Sequence, residues 1–333
     1  MPILTEQWSA DYQENLFLDS AEFITKATDH SQFLSGDRKA RIVHVPQAGA
    51  RPTIIADPSV FPLAIGQVDH PDLTYTVRMF ASAPALVGRA EENFDSYNKR
   101  QALMREHQRG MGEILMRFAL QQWAASLGAG NANRNILTTT GTAATTGARP
   151  SVLGTAATGN RNLYTANDFS RLNLLLDNRR VPKKGRVLVI PASVYHTEML
   201  ALDEFRRADL YGYAYNSQSG AVGTGVIPQA YGFEIVVMPD DLMPYYVGTV
   251  ANPSLKVPAV LGQQAAAAAA TDSFAVLAFH PSFICQADDG INMSVNENAP
   301  GYAGGTVLEV QKFFAAAKLR STEDGIAALV QGA

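Results

Sequence analysis

The stretch that decides the fold is Asp95 to Leu127, DSYNKRQALMREHQRGMGEILMRFALQQWAASL. Tyr97, Met104, Met111, Ile114, Leu115, Phe118 and Ala125 recur at steps of three, four and seven residues. On an α-helix they share one stripe, while Lys99, Arg100, Arg105, Arg109, Glu113 and Arg117 fall mostly elsewhere. At the α-helical rise such a segment spans roughly 45–50 Å. Glu91, Glu92 and Asp95 stand where the helix dipole favours negative charge, and Gly128 and Gly130 where a C-cap is wanted. Gly110 and Gly112 are the weak point, because each costs about 1 kcal/mol relative to Ala in a helix interior. A bend or a close backbone contact is expected there.

The segments around this helix do not read as one compact core. Residues 1–35 alternate short apolar clusters (Leu16, Phe17, Leu18; Phe23, Ile24) with polar residues, and read as an arm with a short helix whose anchors need another surface. From Arg38 to Val45 the pattern has period two: Lys39, Arg41, Val43 and Val45 on one side, Ala40, Ile42 and His44 on the other. Thr74 to Phe80 is a second strand-like run, rich in β-branched and aromatic residues. Between them, Pro46, Pro52, Pro58, Pro62 and Pro71 with Gly49 and Gly66 exclude a helix. A connection this long inside a compact domain is functional as a rule, so residues 36–82 read as a projecting hairpin loop.

After the long helix, Gly128 to Asn162 is dominated by Thr, Ala, Gly and Asn, with Ile136, Leu137, Val152 and Leu153 as anchors. Thr165 opens a helix as its N-cap, with Asp168 at the third position, Phe169, Leu172, Leu175 and Leu176 on the buried face, and Arg179 and Arg180 at its end. Pro182 to Gly185 is a turn, and Arg186 to Pro191 a short buried strand. Ser193 caps a helix running to Leu202. Phe233 to Met238 and Phe274 to Phe279 are two more buried strands, completing an α/β layer. Ile291 to Val295, Val307 to Leu319 and Ile326 to Val330 return to β pairing, the last two joined by a turn at Ser321 to Gly325. A rod flanked by projecting arms suits a chain that overlaps its neighbours, so this order of parts suggests a shell-forming subunit.

Composition sets the bounds. The chain has 333 residues, 47% of them hydrophobic, enough for two compact domains or one with extensions. With 27 basic and 31 acidic residues the net charge is −4, so no global basic footprint for gripping nucleic acid is present. The only cysteine, Cys285, cannot form an internal disulfide, which fits a reducing compartment. Met1 to Glu6 lacks a basic leader and an apolar run, so no secretion signal is expected. The apolar run Ala265 to Ala270 falls far short of the ~20 residues of a membrane span.

The arm, extended loop, spine helix, central domain and return strands together resemble the major capsid protein of tailed bacteriophages, whose fold is shared with the herpesvirus shell floor and with encapsulins. The segments that carry the resemblance are Tyr97 to Trp123, Gly185 to Pro191 with Tyr195 and Leu200, Tyr231 to Val237, and Lys318-Leu319-Arg320 to Leu329 as a hairpin. The resemblance covers nearly the whole chain and rests on ordering rather than on a sharp motif. It implies an α+β fold with an N-terminal arm (1–35), an extended loop (36–82), a peripheral domain with the spine helix (83–127), an axial domain (128–295) and return strands of the peripheral domain (296–333). It further implies copies of the chain in pentamers and hexamers, closing an icosahedral shell around a double-stranded DNA genome. Scaffold, portal and decoration proteins are the implied partners, and the virion capsid, after synthesis in the host cytoplasm, the implied location.

Two departures stand out. With about 35 residues before the loop, no fused scaffolding domain is expected. Lys39 is the only loop lysine and lies at the loop's base, so the covalent lysine–asparagine crosslink of some members is not carried over. Arg38, Lys39 and Arg41 form a cationic cluster, and Glu91, Glu92 and Asp95 an acidic one. Across a subunit boundary the two would meet, although as exposed faces they are worth only ~0–1 kcal/mol per pair.

Enzyme motifs are weak throughout. Gly223-Thr224-Gly225 lacks the third glycine of a dinucleotide fingerprint and runs into Pro228; Gly141 to Gly147 has phosphate-loop spacing, but Ala148 stands where Lys is needed. His280, Cys285 and Asp288 hold the residue types of a cysteine nucleophile site, yet a cysteine beside Phe283 and Ile284 is more often a small buried hydrophobe. His196 with Glu198, and Asp240-Asp241, lack metal-ligand spacing and read as surface groups or caps. His30, His44, His70 and His107 are scattered. No catalytic, cofactor-binding or metal-ligating residue is assigned, and no cofactor. Two other readings stay open: an encapsulin-type shell around protein cargo, and an α/β enzyme built on the strands between 165 and 279.

Overall fold

The computed structural model describes residues 22–34, 42–47, 54–57, 72–87, 99–128, 134–143, 161–202, 229–247, 249, 252–263, 272–296 and 305–332. The fold is mixed α+β, with two main sheets and a separate two-stranded ribbon.

The first sheet is built on the two longest strands, β13 (Ile284–Asn296) and β14 (Thr306–Lys318), antiparallel from Ile284 opposite Lys318 to Asn296 opposite Val307. Strand β1 (Thr28–Asp29) runs parallel to β13, while β4 (Arg78–Ala81) and β5 (Ala85–Val87) pair with β14. Both faces of this sheet are used. Phe314 and Ala316 point into the main core, whereas Ala315 and Ala317, one residue out of phase, join a second cluster with Leu34, Val43, Tyr75, Cys285 and Ala287.

The long helix, α2 (Lys99–Trp123), lies on the main-core face against β14; it follows the short α1 (Glu22–Thr25). Met104, Gln108, Met111, Leu115 and Phe118 are its buried stripe, at steps of three and four. Phe118 is wedged between Phe80 and Phe314 at centroid separations of 5.2 and 6.2 Å. From Leu115 onward burial spreads around the helix to Met116, Ala119, Leu120 and Trp123. Trp123 spans both layers: its Nε1–H donates to the Cys285 carbonyl at 3.1 Å, and its ring meets Phe279.

Three details of the helix differ from expectation. It stops at Trp123, so its 25 residues span about 37 Å, because Ala125, Ser126 and Leu127 hydrogen-bond to other elements. It runs through Gly110 and Gly112 without interruption, and a Cβ at Gly110 would meet nothing within 4 Å. The close approach lies one turn on, where a Cβ on Gly262 would fall 2.7 Å from Ile114 Cγ2. Ile114 itself sits at the edge of the stripe, 38% exposed. Tyr97 and the acidic group Glu91, Glu92 and Asp95 lie outside the described residues.

The second sheet has eight strands. Its centre is β12 (Asp272–Phe279), buried at every residue, between β15 (Ile326–Val330) and β7 (Val187–Pro191), both antiparallel to it. Strand β9 (Phe233–Met238) runs parallel to β7 and carries β8 (Gln229–Ala230); β6 (Ile136–Thr138) runs parallel to β15. β10 (Tyr245–Val247) pairs β12 and β11 (Ser254–Leu255). These strands are the expected α/β layer. Helix α3 (Ala166–Asn178) packs on β15 with Phe169, Leu172 and Leu176 buried, and the expected cap at its start is present: Thr165 N–H and Oγ1 donate to the Asp168 carboxylate at 3.0 and 2.8 Å.

Several local expectations change. Helix α4 (Ala192–Thr197) follows Pro191, and its Ser193 N–H is capped by Asp240 Oδ1 at 3.0 Å, so Ser193 receives a cap rather than supplying one. The run from Met199 to Ala201 is a separate 3-10 turn. Lys318 to Leu329 is no hairpin, because β14 pairs β13 whereas β15 pairs β12 and β6. All five residues of β15 are buried, as an interior strand covered on both faces must be. Thr74 to Phe80 is two strands in two sheets. β3 (Asp72–Thr76) pairs β2 (Ile42–Pro46), β4 pairs β14, and the chain changes partner at Val77, which is anchored in the second cluster. Residues 22–34, expected to need an external surface, pack on their own chain through Ile24, Ala27 and Leu34.

Phe118→Ala removes a ring that touches both flanking elements and is expected to cost about 3–5 kcal/mol. Ile114→Ala is expected to cost under about 1 kcal/mol, since that side chain is half in solvent. Equilibrium denaturation of the two variants checks the pair.

Candidate assembly surface

The ribbon of β2 and β3 keeps the period-two pattern: Val43 and Tyr75 are buried, Ile42 and His44 exposed. Its base is pinned by Tyr75, whose hydroxyl lies 2.9 Å from His30 Nδ1 and whose ring packs with Leu34 and Cys285. Burial raises the Tyr75 phenol well above its ordinary range, lowers His30 in spite of Asp29, and pushes the Cys285 thiol up to about 12. That thiol is protonated and inert at neutral pH, a packing group rather than a nucleophile.

Large apolar side chains are exposed on β2 and on the described segment 54–57. Ile54 is 93% exposed, and Ile42 and Ile55 are each more than half exposed. Beside the ribbon lies a groove of about 580 Å3, lined by Leu73 and Tyr75 of β3, Phe118 and Gln121 of α2, and Val257, Pro258 and Leu261. Val257, Val260 and Leu261 are exposed on the 252–263 segment, which Arg117 holds against α2 by donating to the Asp241 and Gly262 carbonyls at 2.9 and 3.1 Å. The surface thus offers a projecting apolar edge and a rigidly held apolar recess.

Lys318 and Glu323, which also line the groove, belong to a dense polar cluster. Glu323 is buried, and its carboxylate accepts from Ser126 N–H at 2.9 Å, Leu127 N–H at 3.3 Å, Ser126 Oγ–H and Lys318 Nζ. Asn135 Nδ2 donates to its carbonyl at 2.7 Å, as does Arg179 Nη1 at 3.4 Å. Burial alone would raise the Glu323 pKa. The Lys318 ammonium and the Ser126 donors outweigh it and hold the carboxyl below its ordinary 4.5.

The residues weighed as catalytic do not act together. His280 Nε2 lies against the Lys184 carbonyl and its Nδ1 accepts from Ser282 N–H, Cys285 packs with Tyr75, and Asp288 pairs with Lys312 at 2.7 Å. Glu198 is buried, accepting from Tyr164 N–H and Gln331 Nε2, so it is a core group rather than a surface one; Asp240 is the cap of α4. His44 meets Asp72 on the ribbon. Among the described residues, no group of three or more His, Cys, Asp and Glu could hold a metal ion. Gly223 to Gly225, His70, Lys39 and Arg41 lie outside the described residues, as does Gly147. Glu323 was missed because Ser321-Thr322-Glu323-Asp324-Gly325 reads as an ordinary exposed turn.

No protein-family model matches the chain, and no curated protein sequence is similar to it. Solved structures do match over nearly its full length. The capsid of cyanophage Pam1 aligns with a TM-score of 0.59 at 11% identity, covering 92% of this chain and 88% of that one. The capsid of cyanophage P-SCSP1u aligns at 0.57 and 15%, covering 92% and 86%. The capsid of a native GTA particle aligns at 0.53 and 11%, covering 94% and 90%. The chain has the tailed-phage capsid fold. Within the chain the ribbon base and the α2 core are packed, while Ile42 of the ribbon and the groove beside it are open.

The capsid-fold subunit should carry an acid-sensitive stability increment from Glu323. Because its folded pKa lies below the unfolded value, the increment is fully present above about pH 4.5 and is lost as pH falls through the folded pKa. Glu323→Gln is expected to cost about 3–5 kcal/mol at neutral pH, as for a broken buried ion pair. The gap in melting temperature between wild type and variant should narrow as pH drops below about 4.5, which thermal scans across pH measure.

Proposed function

We propose that this chain is a major capsid protein, many copies of which close into an icosahedral shell around a double-stranded DNA genome. One observation carries the reading: a capsid fold along nearly the whole chain, combined with the exposed isoleucines Ile42, Ile54 and Ile55. In this reading residues 1–35 and 36–82 overlap adjacent subunits. Residues 83–127 and 296–333 form the peripheral domain, and residues 128–295 converge at the centres of pentamers and hexamers.

The mechanism is geometric. A projecting edge on one copy and a recess on the next make a heterologous contact, which propagates around a ring and closes when the rotation allows. Each contact can be weak, because a subunit held at several boundaries dissociates only when all of them open. A slightly acidic chain suits a container, since a strongly cationic lining would bind packaged DNA through many phosphates and retain it. No described helix is long and apolar enough to cross a membrane. Scaffold, portal and decoration proteins are the further partners of this reading, and the virion capsid its place of action.

The purified chain is expected to form hollow shells, tubes or capsomer rings, visible by electron microscopy. Stable monomers alone, across protein concentration and salt and with any scaffold supplied, would overturn the proposal. A finer test uses Ile54→Asp with Ile55→Asp. Both side chains are exposed, so the melting temperature should hold within the ~0.5 kcal/mol typical of surface changes. Sedimentation should nonetheless shift from assembled particles to free subunits.

A further inference from the structure

The end of α2 is set from outside the helix. In a continuing α-helix, Ser126 N–H and Leu127 N–H would donate to the carbonyls of Gln122 and Trp123, four residues back. Here both donate to the Glu323 carboxylate instead, and Ser126 Oγ–H adds a further bond. The diverted segment holds Ala124, Ala125 and Leu127, which are among the strongest helix formers. Gly128, the residue best suited to cap a helix ending at Leu127, does not adopt the left-handed backbone of such a cap. It lies instead against Pro253, whose carbonyl oxygen a Cβ would approach to 2.6 Å. The sequence therefore encodes a longer helix with its own stop, and the structure holds a shorter one.

Glu323 occupies a position that disfavours its own residue type. Its φ is +52°, left-handed backbone that a non-glycine residue adopts at a cost. A glutamate retained there points to a use for its carboxylate. Around it stand Lys318 at the end of β14, Ser126 and Leu127 beyond α2, Asn135 before β6, and Arg179 after α3. Tyr246 of β10 donates to the Ala125 carbonyl at 2.9 Å, and Arg320 and Asp324 face each other at 3.8 Å along the same turn. Strands β10 and β14, the turn before β15 and the approach to β6 thus each bond to the segment that could change state.

We infer that Glu323 selects between two ends of α2: clamped on Ser126 and Leu127 it stops the helix at Trp123, and withdrawn it lets the helix run to Leu127 with Gly128 as its cap. The switch adds about 6 Å of helix at the joint between the sheets. It also re-orients the Leu127 carbonyl, which here accepts from Asn135 N–H and ties the end of α2 to β6. This conformational device stands on the subunit's own geometry and does not depend on what the subunit assembles into.

The test is structure determination of the full-length chain as wild type and as two variants. Glu323→Asp keeps the charge beside Lys318 and tolerates left-handed backbone, but its carboxylate is one methylene short of the segment. Lys318→Met with Glu323→Gly removes both charges and the backbone strain together. In each variant the helix is expected to end at Leu127, four residues beyond its wild-type end, with Gly128 left-handed. A helix still ending at Trp123 in a folded variant would overturn the inference, and if only one variant folds, its helix end decides. Denaturation of Glu323→Gly supplies an independent reading. A loss of melting temperature supports the clamp, whereas a gain would mean that the carboxylate holds nothing and the inference fails.

Discussion

The carboxylate of Glu323 is the interaction on which the two halves of the fold depend. Within one hydrogen-bonded cluster it gathers the end of α2, the end of β14, the approach to β15 and the start of β6. Those four points also border one continuous apolar core. A buried ion pair need not add much net stability over an apolar replacement, since desolvating both charges offsets most of their attraction. Its contribution is directional: donors from five residues on one carboxylate and its carbonyl admit few arrangements of the segments that supply them. The strained backbone at Glu323 is the local cost of placing that carboxylate there.

What the sequence disclosed follows what each kind of pattern encodes. The stripe Met104, Met111, Leu115, Phe118 was legible because a helix face is a local property, and it is buried as read. The capping pair Thr165 and Asp168 was legible for the same reason, as were the apolar runs of β7, β9 and β12. The pairing of β15 was not, because a five-residue apolar strand carries no record of its partner, and a turn-like sequence before it suggested the nearer β14. The split at Val77 was hidden likewise: Thr74 to Phe80 has strand character throughout, and only the positions of β2 and β14 decide that it serves two sheets. The assembly surface was half legible. Period two marked Ile42 as lying opposite Val43, but the recess beside Leu73, Phe118 and Leu261 comes from segments far apart in the chain, and no local pattern announces it.

The helix end shows where local propensity loses. Ala124 to Leu127 favour a helix by a few tenths of a kcal/mol each relative to average residues. One charge-assisted hydrogen bond to a buried carboxylate is worth ~1.5–3 kcal/mol. Two such bonds outweigh four residues of propensity, so the tertiary partner decides. Both bonds end on one carboxylate, so withdrawal of that single group removes the whole advantage at once, which would not be true of a helix end fixed by apolar burial.

The dependence on one buried group bears on how a shell of identical chains could be built. Subunits in rings of five and of six meet at different angles, and a close-packed apolar junction resists such adjustment because cores have discrete rather than continuous packings. Here the apolar contacts that must not change, Phe80, Phe118 and Phe314, lie within one sheet and its helix. The two sheets share one continuous apolar core, and they are tied further by hydrogen bonds to a turn and by Trp123, which touches a carbonyl of one sheet and a ring of the other. Apolar packing therefore holds the two sheets together, and the hydrogen bonds to Glu323 fix where the segments between them lie. Adaptation to neighbours thus falls to the exposed side chains of the ribbon and of the 252–263 segment rather than to this junction.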